Sequence, residues 1–202
     1  MMTMPEDHLF DALPVVDEDA NRRLHASLVA AAARDGLLDV AYRTLDTPVG
    51  TLLLAATEHG LVRVAYDRED HDAVLTTLAG AVSPRILAAP ARLDPVARQL
   101  EEYFTGGRRM FEVPLDFRLS KGFRRAVLSH LPDIAYGRTE SYAQVAAAAG
   151  SPKAVRAVGT ACATNPLPVV VPCHRVVRSD GSFGGYVGGE DAKRTLLTLE
   201  AA

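Results

Sequence analysis

Between residues 39 and 66 the chain carries three short segments, DVAYRTL, TLLLAAT and LVRVAYD, rich in β-branched and apolar residues. Runs of that length and make-up predict strands. The joints between them, DTPVG and EHG, are turn-like, so the three predict an antiparallel meander. The pattern changes on either side. Upstream, an Ala/Leu-rich stretch over 20–34 reads as a helix, with Gly36 just past its end. Downstream, helices are predicted over 71–81 and 95–104, the second closed by Gly106 and Gly107. MFEVPLDF then reads as a strand leaving this region.

Beyond a boundary at 116–120 the pattern turns helical and basic. KGFRRAVLSHL sets Phe123, Val127, Leu128 and Leu131 at helical spacing. After the turn-like PDIAYGRTE, the segments SYAQVAAAAG and SPKAVRAVGTACAT predict two short helices joined by a Gly-Ser-Pro turn. Ser141 is placed to cap the first, and Ser151 followed by Pro152 to open the second. Two short helices about a tight glycine-containing turn make a helix-turn-helix candidate. LPVVVPCHRVV reads as a short buried strand running into a turn, RSDGSFGGYVGG as loop, and EDAKRTLLTLE as a closing helix.

Composition bounds what such a chain does. Hydrophobic residues make up 48% and charged residues 23%, ordinary for a soluble globular protein. No apolar run reaches the length of a membrane span. The start, MMTMPEDHLFDALP, is acidic and broken by proline, unlike a secretory signal. A cytoplasmic protein with no membrane partner is expected. Two cysteines, Cys162 and Cys173, make no zinc cluster, and no His/Cys spacing looks metal-like, so neither metal nor cofactor is expected. The net charge of −3 conceals an asymmetry: residues 117–202 hold 11 Lys/Arg against 6 Asp/Glu, and residues 1–116 hold 11 against 19. A basic second half fits a polyanionic partner. On charge alone, chance segregation of solvated charges is the slightly better reading.

Cys173 follows Val169-Val170-Val171-Pro172 and precedes His174-Arg175. A thiol attacks as thiolate, and a nearby imidazole or cation lowers its pKa. Sequence neighbours ordinarily point apart, so adjacency alone does not make His174 an activator. A cysteine at a strand end is more often inert core. Arg156 sits in the second helix of the candidate pair among Ala154, Ala157, Gly159, Thr160 and Ala161. A helix so bare of long polar side chains is ill suited to reading base edges in the major groove. It suits close approach to the minor groove, with Arg156 filling the gap left by an extruded base. An Ala-rich core helix with one solvated Arg fits equally well. Asn165-Pro166 stops the helix, Asn by tolerating the left-handed conformation and Pro by forbidding continuation. The Asn165 side chain is also placed to hold the turn bearing Cys173. The loop over 181–189 has five glycines, which either turn backbone N–H groups toward a ligand or give mere flexibility, and Tyr186 within it offers a pocket wall. Glu200, if buried against His174, would fix its tautomer. Near the chain end a solvated carboxylate is the simpler reading. Cys162, on the Ala-rich helix, reads as core.

Together these residues resemble the O6-alkylguanine-DNA alkyltransferase family, the methylated-DNA–protein-cysteine methyltransferases. The strongest match is Pro172-Cys173-His174-Arg175-Val176, which looks like the family's active-site motif. Ser141-Tyr142, Arg156-Ala157-Val158-Gly159, Asn165-Pro166, Gly185-Tyr186, Gly188-Gly189, Lys193, Leu196-Leu197 and Glu200 match around it, in order and at the family's spacings. The resemblance is dense over 122–200, weaker over 39–116, and absent over 1–38. It implies an α+β fold of two domains. A ribonuclease H-like α/β domain with antiparallel strands would occupy 39–116, and a mostly helical, winged-helix-like domain with the helix-turn-helix would occupy 117–202. A partly helical extension over 1–38 precedes both.

The resemblance also implies an activity: a monomer that repairs double-stranded DNA containing O6-alkylguanine by stoichiometric transfer of the alkyl (methyl) group to Cys173, with base flipping and irreversible self-inactivation. On this reading Cys173 is the nucleophile, His174 the base through a bridging water, and Glu200 its orienter. Asn165 ties the helix end to the active-site turn. Tyr142 contacts the DNA backbone and donates toward guanine N3. Arg156 replaces the flipped nucleotide, with Ser151, Ala154, Ala157 and Gly159 beside it at the DNA. Pro168 and Tyr186 line the pocket. The Val187 N–H donates to O6, and the carbonyls of Cys173 and Val176 accept from the guanine amino group. Position 187 is often serine-like in the family. Valine there keeps the backbone donor and bears on pocket size. Some relatives hold zinc in the N-terminal half, where this chain has no cysteine, so no structural zinc is expected. Two other classes compete: a non-catalytic alkylation-sensing DNA-binding regulator, and a cysteine hydrolase, whose oxyanion hole the sequence does not show.

Overall fold

The computed structural model describes residues 17–201. Its first helix, α1 (Glu18–Arg34), is capped by Asp17, whose carboxylate accepts from Asp19 N, and carries Glu18 and Asp19 where the helix dipole favours anions. Gly36, at φ +67°, ends it, and Leu37 N donates to Ala32 O. This is the helix expected over 20–34. Residues 1–16 of the expected extension lie outside the described residues. Of the described residues, 17–37 belong to one unit and 38–201 to another.

In the larger unit β1 (Val40–Thr47), β2 (Gly50–Thr57) and β3 (Gly60–Tyr66) form the expected antiparallel meander, with Leu45 opposite Leu52 and Leu54 opposite Val64. Burial in β2 runs without alternation from Leu52 to Thr57, so both faces of the sheet are covered. α2 (His71–Ala81) brings Val74 and Leu78 to a core of Val40, Leu53, Ala55, Val62 and Ala65. α3 (Asp94–Phe104) buries Val96, Ala97, Leu100 and Tyr103.

A fourth strand, β4 (Ile86–Ala88), was not expected. It pairs parallel with β1 and gives the sheet order β3-β2-β1-β4. Three residues are too few for a period to show. Conversely, MFEVPLDF is not a strand. It is irregular apart from a bridge between Leu115 and Leu61, and Pro114 removes a ladder donor in its middle. Its end nonetheless covers the outer edge of β3: Leu61 N donates to Pro114 O and Asp116 N to Leu61 O, both at 2.8 Å. Further along that edge Val64 N donates to Pro166 O at 2.8 Å, so the sheet grips the turn that leads to Cys173.

The second half is mostly helical: α4 (Gly122–His130), α5 (Tyr142–Ala148), α6 (Val155–Ala163) and α7 (Gly189–Glu200). Two short strands, β5 (Glu140–Ser141) and β6 (Val176–Val177), pair in parallel. α5 and α6 form the expected helix-turn-helix, packed on α4. Ser141 caps α5 in a capping box with Gln144.

Three local expectations are corrected. Ser151 does not cap α6. Its N–H closes α5 on Ala146 O and its carbonyl accepts from Ala154 N at 2.8 Å, so Pro152 and Lys153 are used in the inter-helix turn and α6 starts at Val155. Residues 167–171 are buried but not a strand. Val171 N turns back to Leu167 O, with Val169 at φ +71°, and the strand comes after Cys173. Asn165 is not left-handed, for among the described residues only Asp70 and Val169 combine a positive φ with a side chain. Its N–H bonds back to Cys162 O, and its side chain makes the stop. No helix among the described residues is long and apolar enough to cross a membrane.

Candidate active site

One side chain shapes the segment that follows α6. Asn165 Oδ1 accepts from Leu167 N at 2.9 Å and Nδ2 donates to Val171 O at 2.8 Å, which closes the loop 165–171. The same Nδ2 lies 3.1 Å from Cys173 Sγ. Cys173, His174 and Arg175 then form a single 3₁₀ turn, all three buried. In an extended chain neighbours point apart. At three residues per turn successive side chains diverge by about 120° instead of pointing to opposite faces.

Glu200, the last residue of α7, draws this turn together. It is 4% exposed, which overturns the solvated reading. Its Oε1 pairs with His174 Nε2 at 2.8 Å and accepts from Tyr103 Oη at 2.7 Å and Arg175 Nη2 at 2.9 Å. Its Oε2 accepts from Arg175 Nε at 2.9 Å and Gly137 N at 3.2 Å. Gly137 sits at φ +71°, and a Cβ there would meet the Glu200 carbonyl at 2.7 Å. Burial pushes the Glu200 carboxyl up, but the bonds from His174 and Arg175 outweigh it and hold the pKa at about 2. The carboxylate is ionised, so His174 carries its proton on Nε2 and leaves Nδ1 as a lone pair. That Nδ1 is buried and has no hydrogen-bond partner. Burial pushes the His174 pKa down against the pull of Glu200, which keeps the ring neutral. Burial pushes the Cys173 thiol up to about 11, against the Asn165 bond and the charge of Lys193. Lys193 is fully buried and donates to Val176 O at 2.5 Å.

The glycine-rich loop meets this cluster from the other side of the sequence. Tyr186 is buried, edge-on to His174 with ring centroids 6.3 Å apart, and its Oη is 2.9 Å from Tyr66 Oη. Three of the loop glycines are seats for side chains: a Cβ at Gly184 would collide with Tyr142, at Gly188 with Tyr66, and at Gly189 with Arg68. Here the glycines supply room as well as flexibility. Pro168 is buried, and Val187 and Tyr142 are half-buried.

The structure therefore gathers Cys173, His174, Asn165, Glu200 and Tyr186 in one connected cluster and seats Tyr142 on the glycine-rich loop. Arg156 and Ala157 stand apart, exposed on α6, with Ser151, Ala154 and Gly159 half-buried near them. Nothing lies within 4 Å of a Cβ built on Gly159, so internal packing does not require a small residue there. Cys162 is buried core. Sequence reasoning missed Tyr103, Tyr66 and the part Arg175 plays. Tyr103 follows Val96 and Leu100 on the apolar stripe of α3, and a hydroxyl on such a stripe is the one signal it gave.

Residues 122–202 match the family model described as 6-O-methylguanine DNA methyltransferase, DNA binding domain, and residues 40–117 match its ribonuclease-like domain. The methylated-DNA–protein-cysteine methyltransferase of Mycolicibacterium paratuberculosis is 40% identical over 161 residues, which cover 80% of this chain and 92% of that protein. The constitutive one of Bacillus subtilis is 40% identical over 162 residues, covering 79% and 94%. Among solved structures, Mycobacterium tuberculosis O6-methylguanine methyltransferase has a TM-score of 0.71 at 37% identity, over 80% of this chain and 93% of that one. The OGT of the same organism in complex with DNA gives 0.69 at 36% identity, over 80% and 92%. With both halves matched in order and the relatives covered almost end to end, the chain belongs to the 6-O-methylguanine DNA methyltransferase family.

Proposed function

We propose that this protein, acting as a monomer, repairs double-stranded DNA by moving the alkyl group of an O6-alkylguanine onto Cys173, once per molecule. The observation that carries this reading is a buried thiol 3.1 Å from the Asn165 amide and beside a His174–Glu200 pair joined at 2.8 Å, in a chain of this family.

His174 Nδ1 takes the thiol proton, directly or through one bridging water, and ionised Glu200 steadies the imidazolium. Sγ attacks the alkyl carbon, the S–C bond forms as the C–O6 bond breaks, and the electron pair goes to the guanine. The proton given up by the thiol ends on the base, which leaves as neutral guanine. Nothing else is consumed, and water does not cleave the thioether, so the protein is spent.

An alkyl group inside a duplex is out of reach, and extruding its base costs roughly a few kcal/mol. Arg156 fills the gap, and the small residues Ala154, Ala157 and Gly159, with Ser151, let α6 approach the minor groove. Tyr142 donates toward N3 and the Val187 N–H toward O6, which improves the leaving group. Pro168 and Tyr186 wall the base. The carbonyls of Cys173 and Val176 accept from its amino group, and because Lys193 engages Val176 O, one lone pair remains there for the base. In this division residues 117–202 hold the DNA and accept the alkyl group, while 39–116 supply Tyr103 beneath Glu200. A DNA substrate implies work where the genome lies, the cytoplasm in a cell without a nucleus.

Intact mass after incubation with duplex DNA carrying one O6-methylguanine tests the reading. A stoichiometric gain of one methylene, absent in Cys173→Ala, is expected. Lesion binding with no mass gain would replace it with the sensor reading.

A further inference from the structure

Tyr66 belongs to the strand-rich half, 107 positions before Cys173 in the sequence by their numbering, yet it meets the loop that walls the active site. It closes β3 and is 2% exposed. Its ring lies edge-on to Tyr186 at 5.8 Å between centroids, and the two hydroxyls are 2.9 Å apart. The same ring occupies the space a side chain at Gly188 would need, and Arg68 Nη1 does so at Gly189. Tyr66 is itself held. Its N–H donates to Glu69 Oε1 at 2.9 Å, Glu69 pairs with Arg63, and Arg63 Nη1 reaches Asn165 O at 3.5 Å. One short stretch, Tyr66 to Glu69, thus braces the pocket loop and, through Arg63, the residue that touches Cys173 Sγ.

We propose that Tyr66 is a positioning residue that sets the width of the alkylguanine pocket, its hydroxyl latching Tyr186 and its ring fixing the loop at Gly188. The inference rests on the function proposed above. Burial pushes both tyrosine hydroxyls far up, so both stay neutral and one donates to the other. Loss of the Tyr66 hydroxyl leaves that of Tyr186 unpaired in a buried wall. Loss of the ring opens space beside Gly188 that nothing else on the loop fills.

The test compares Cys173 alkylation rates on duplex O6-methylguanine DNA and on free O6-benzylguanine, read by intact mass, for wild type, Tyr66→Ala and Tyr66→Phe. Tyr66→Ala is expected to raise the benzyl-to-methyl rate ratio about tenfold by opening a cavity the size of the lost ring. Tyr66→Phe, which keeps the ring, should return the ratio to near wild type while slowing methyl transfer about three- to tenfold. A ratio unchanged in Tyr66→Ala, with wild type taking the methyl group, overturns the inference. A wild type that takes no methyl group overturns the proposed function instead. Should Tyr66→Ala not fold, Tyr66→Phe and Tyr186→Phe decide: a double variant no slower than the slower single one supports the latch, and losses that multiply overturn it.

Discussion

The buried cluster around Cys173 and the outer face of α6 differ in how far the chain must travel to build them. The cluster is assembled over long separations: Glu200 reaches back 26 residues to His174, 63 to Gly137 and 97 to Tyr103. Its ionisable groups are buried and hold one another. The α6 face is local. Arg156, Ala157 and Thr160 are exposed within a nine-residue helix, and Val158, Ala161 and Cys162 anchor its other side. On the function proposed, the first region would gain its chemistry by excluding water and fixing a tautomer, so that its stability and its reactivity are one property, and the second would gain its role by being bare, so that the two properties separate there.

Glu200→Ala is the harshest way to press that difference. It strands the Arg175 guanidinium, 5% exposed, without its carboxylate and removes the partner of His174. Breaking a buried pair from one side costs about 3–5 kcal/mol, and alkylation should fall by more than a hundredfold in whatever fraction stays folded. Arg156→Ala should change stability by no more than about 0.5 kcal/mol, as exposed substitutions do. Urea unfolding of the two variants side by side checks this. Similar midpoints would break the comparison.

Arg156→Ala should instead show itself in the reaction. If Arg156 fills the gap left by the flipped base, its loss costs part of the few kcal/mol of base extrusion, roughly ten- to a hundredfold in rate on duplex O6-methylguanine. Free O6-benzylguanine needs no flipping, and its rate should stay within about twofold of wild type on the same argument. Single-turnover rates on the two substrates decide the matter. Equal losses on both would remove the finger role and place Arg156 in the pocket's own network.

The same contrast explains what was legible in the sequence. The meander, α2, α3 and α5 follow from local pattern and lie within a residue or two of the expected ends, while α6 begins at Val155, past the expected Ser151-Pro152 start. Arg156 on a bare helix face was visible because helix, face and exposure are set by neighbours in sequence. Local pattern shows Cys173 and His174 only as neighbours that an extended chain would point apart, and it was the resemblance of Pro172–Val176 that marked them as a site. The 3₁₀ turn that buries both follows the loop that Asn165 closes. From local pattern Glu200 reads more simply as a solvated chain end, and only the resemblance gave it a role, because its five donors sit on four residues at three separate places in the chain. Tyr66 and Tyr103 were invisible as site residues for the same reason: nothing near them in sequence points to a partner in the other half. The errors at Ser151 and at residues 167–171 were of another kind. There a turn took residues whose local preference suited a helix start and a strand.

The mildest measurement is the most direct probe of how the pocket makes its nucleophile. Burial holds the Cys173 pKa at about 11 and pushes that of His174 below its ordinary value of 6.5. If the thiolate formed by simple ionisation to solvent, the rate with free O6-benzylguanine would climb about tenfold per pH unit from 7 toward the thiol pKa. If the proton passes to His174 Nδ1, the rate depends on a neutral imidazole. It should then be level, within about a factor of two, from pH 7 to 9, and fall only in acid as His174 protonates below the usual histidine range. The sign for stability agrees. A histidine with a depressed folded pKa contributes stability that is present above 6.5 and lost as pH falls toward its folded value. Glu200, whose pKa is held at about 2, contributes stability that is whole above 4.5 and is lost progressively as pH falls from there through about 2. The acid loss of rate should therefore track the protonation of His174 below the usual histidine range. Arg156→Ala should leave this profile unmoved, because no group on the α6 face takes part in the proton's path. A rate that climbs steadily through pH 9 would leave His174 a structural neighbour of the thiol and Glu200 the counter-ion of Arg175 alone.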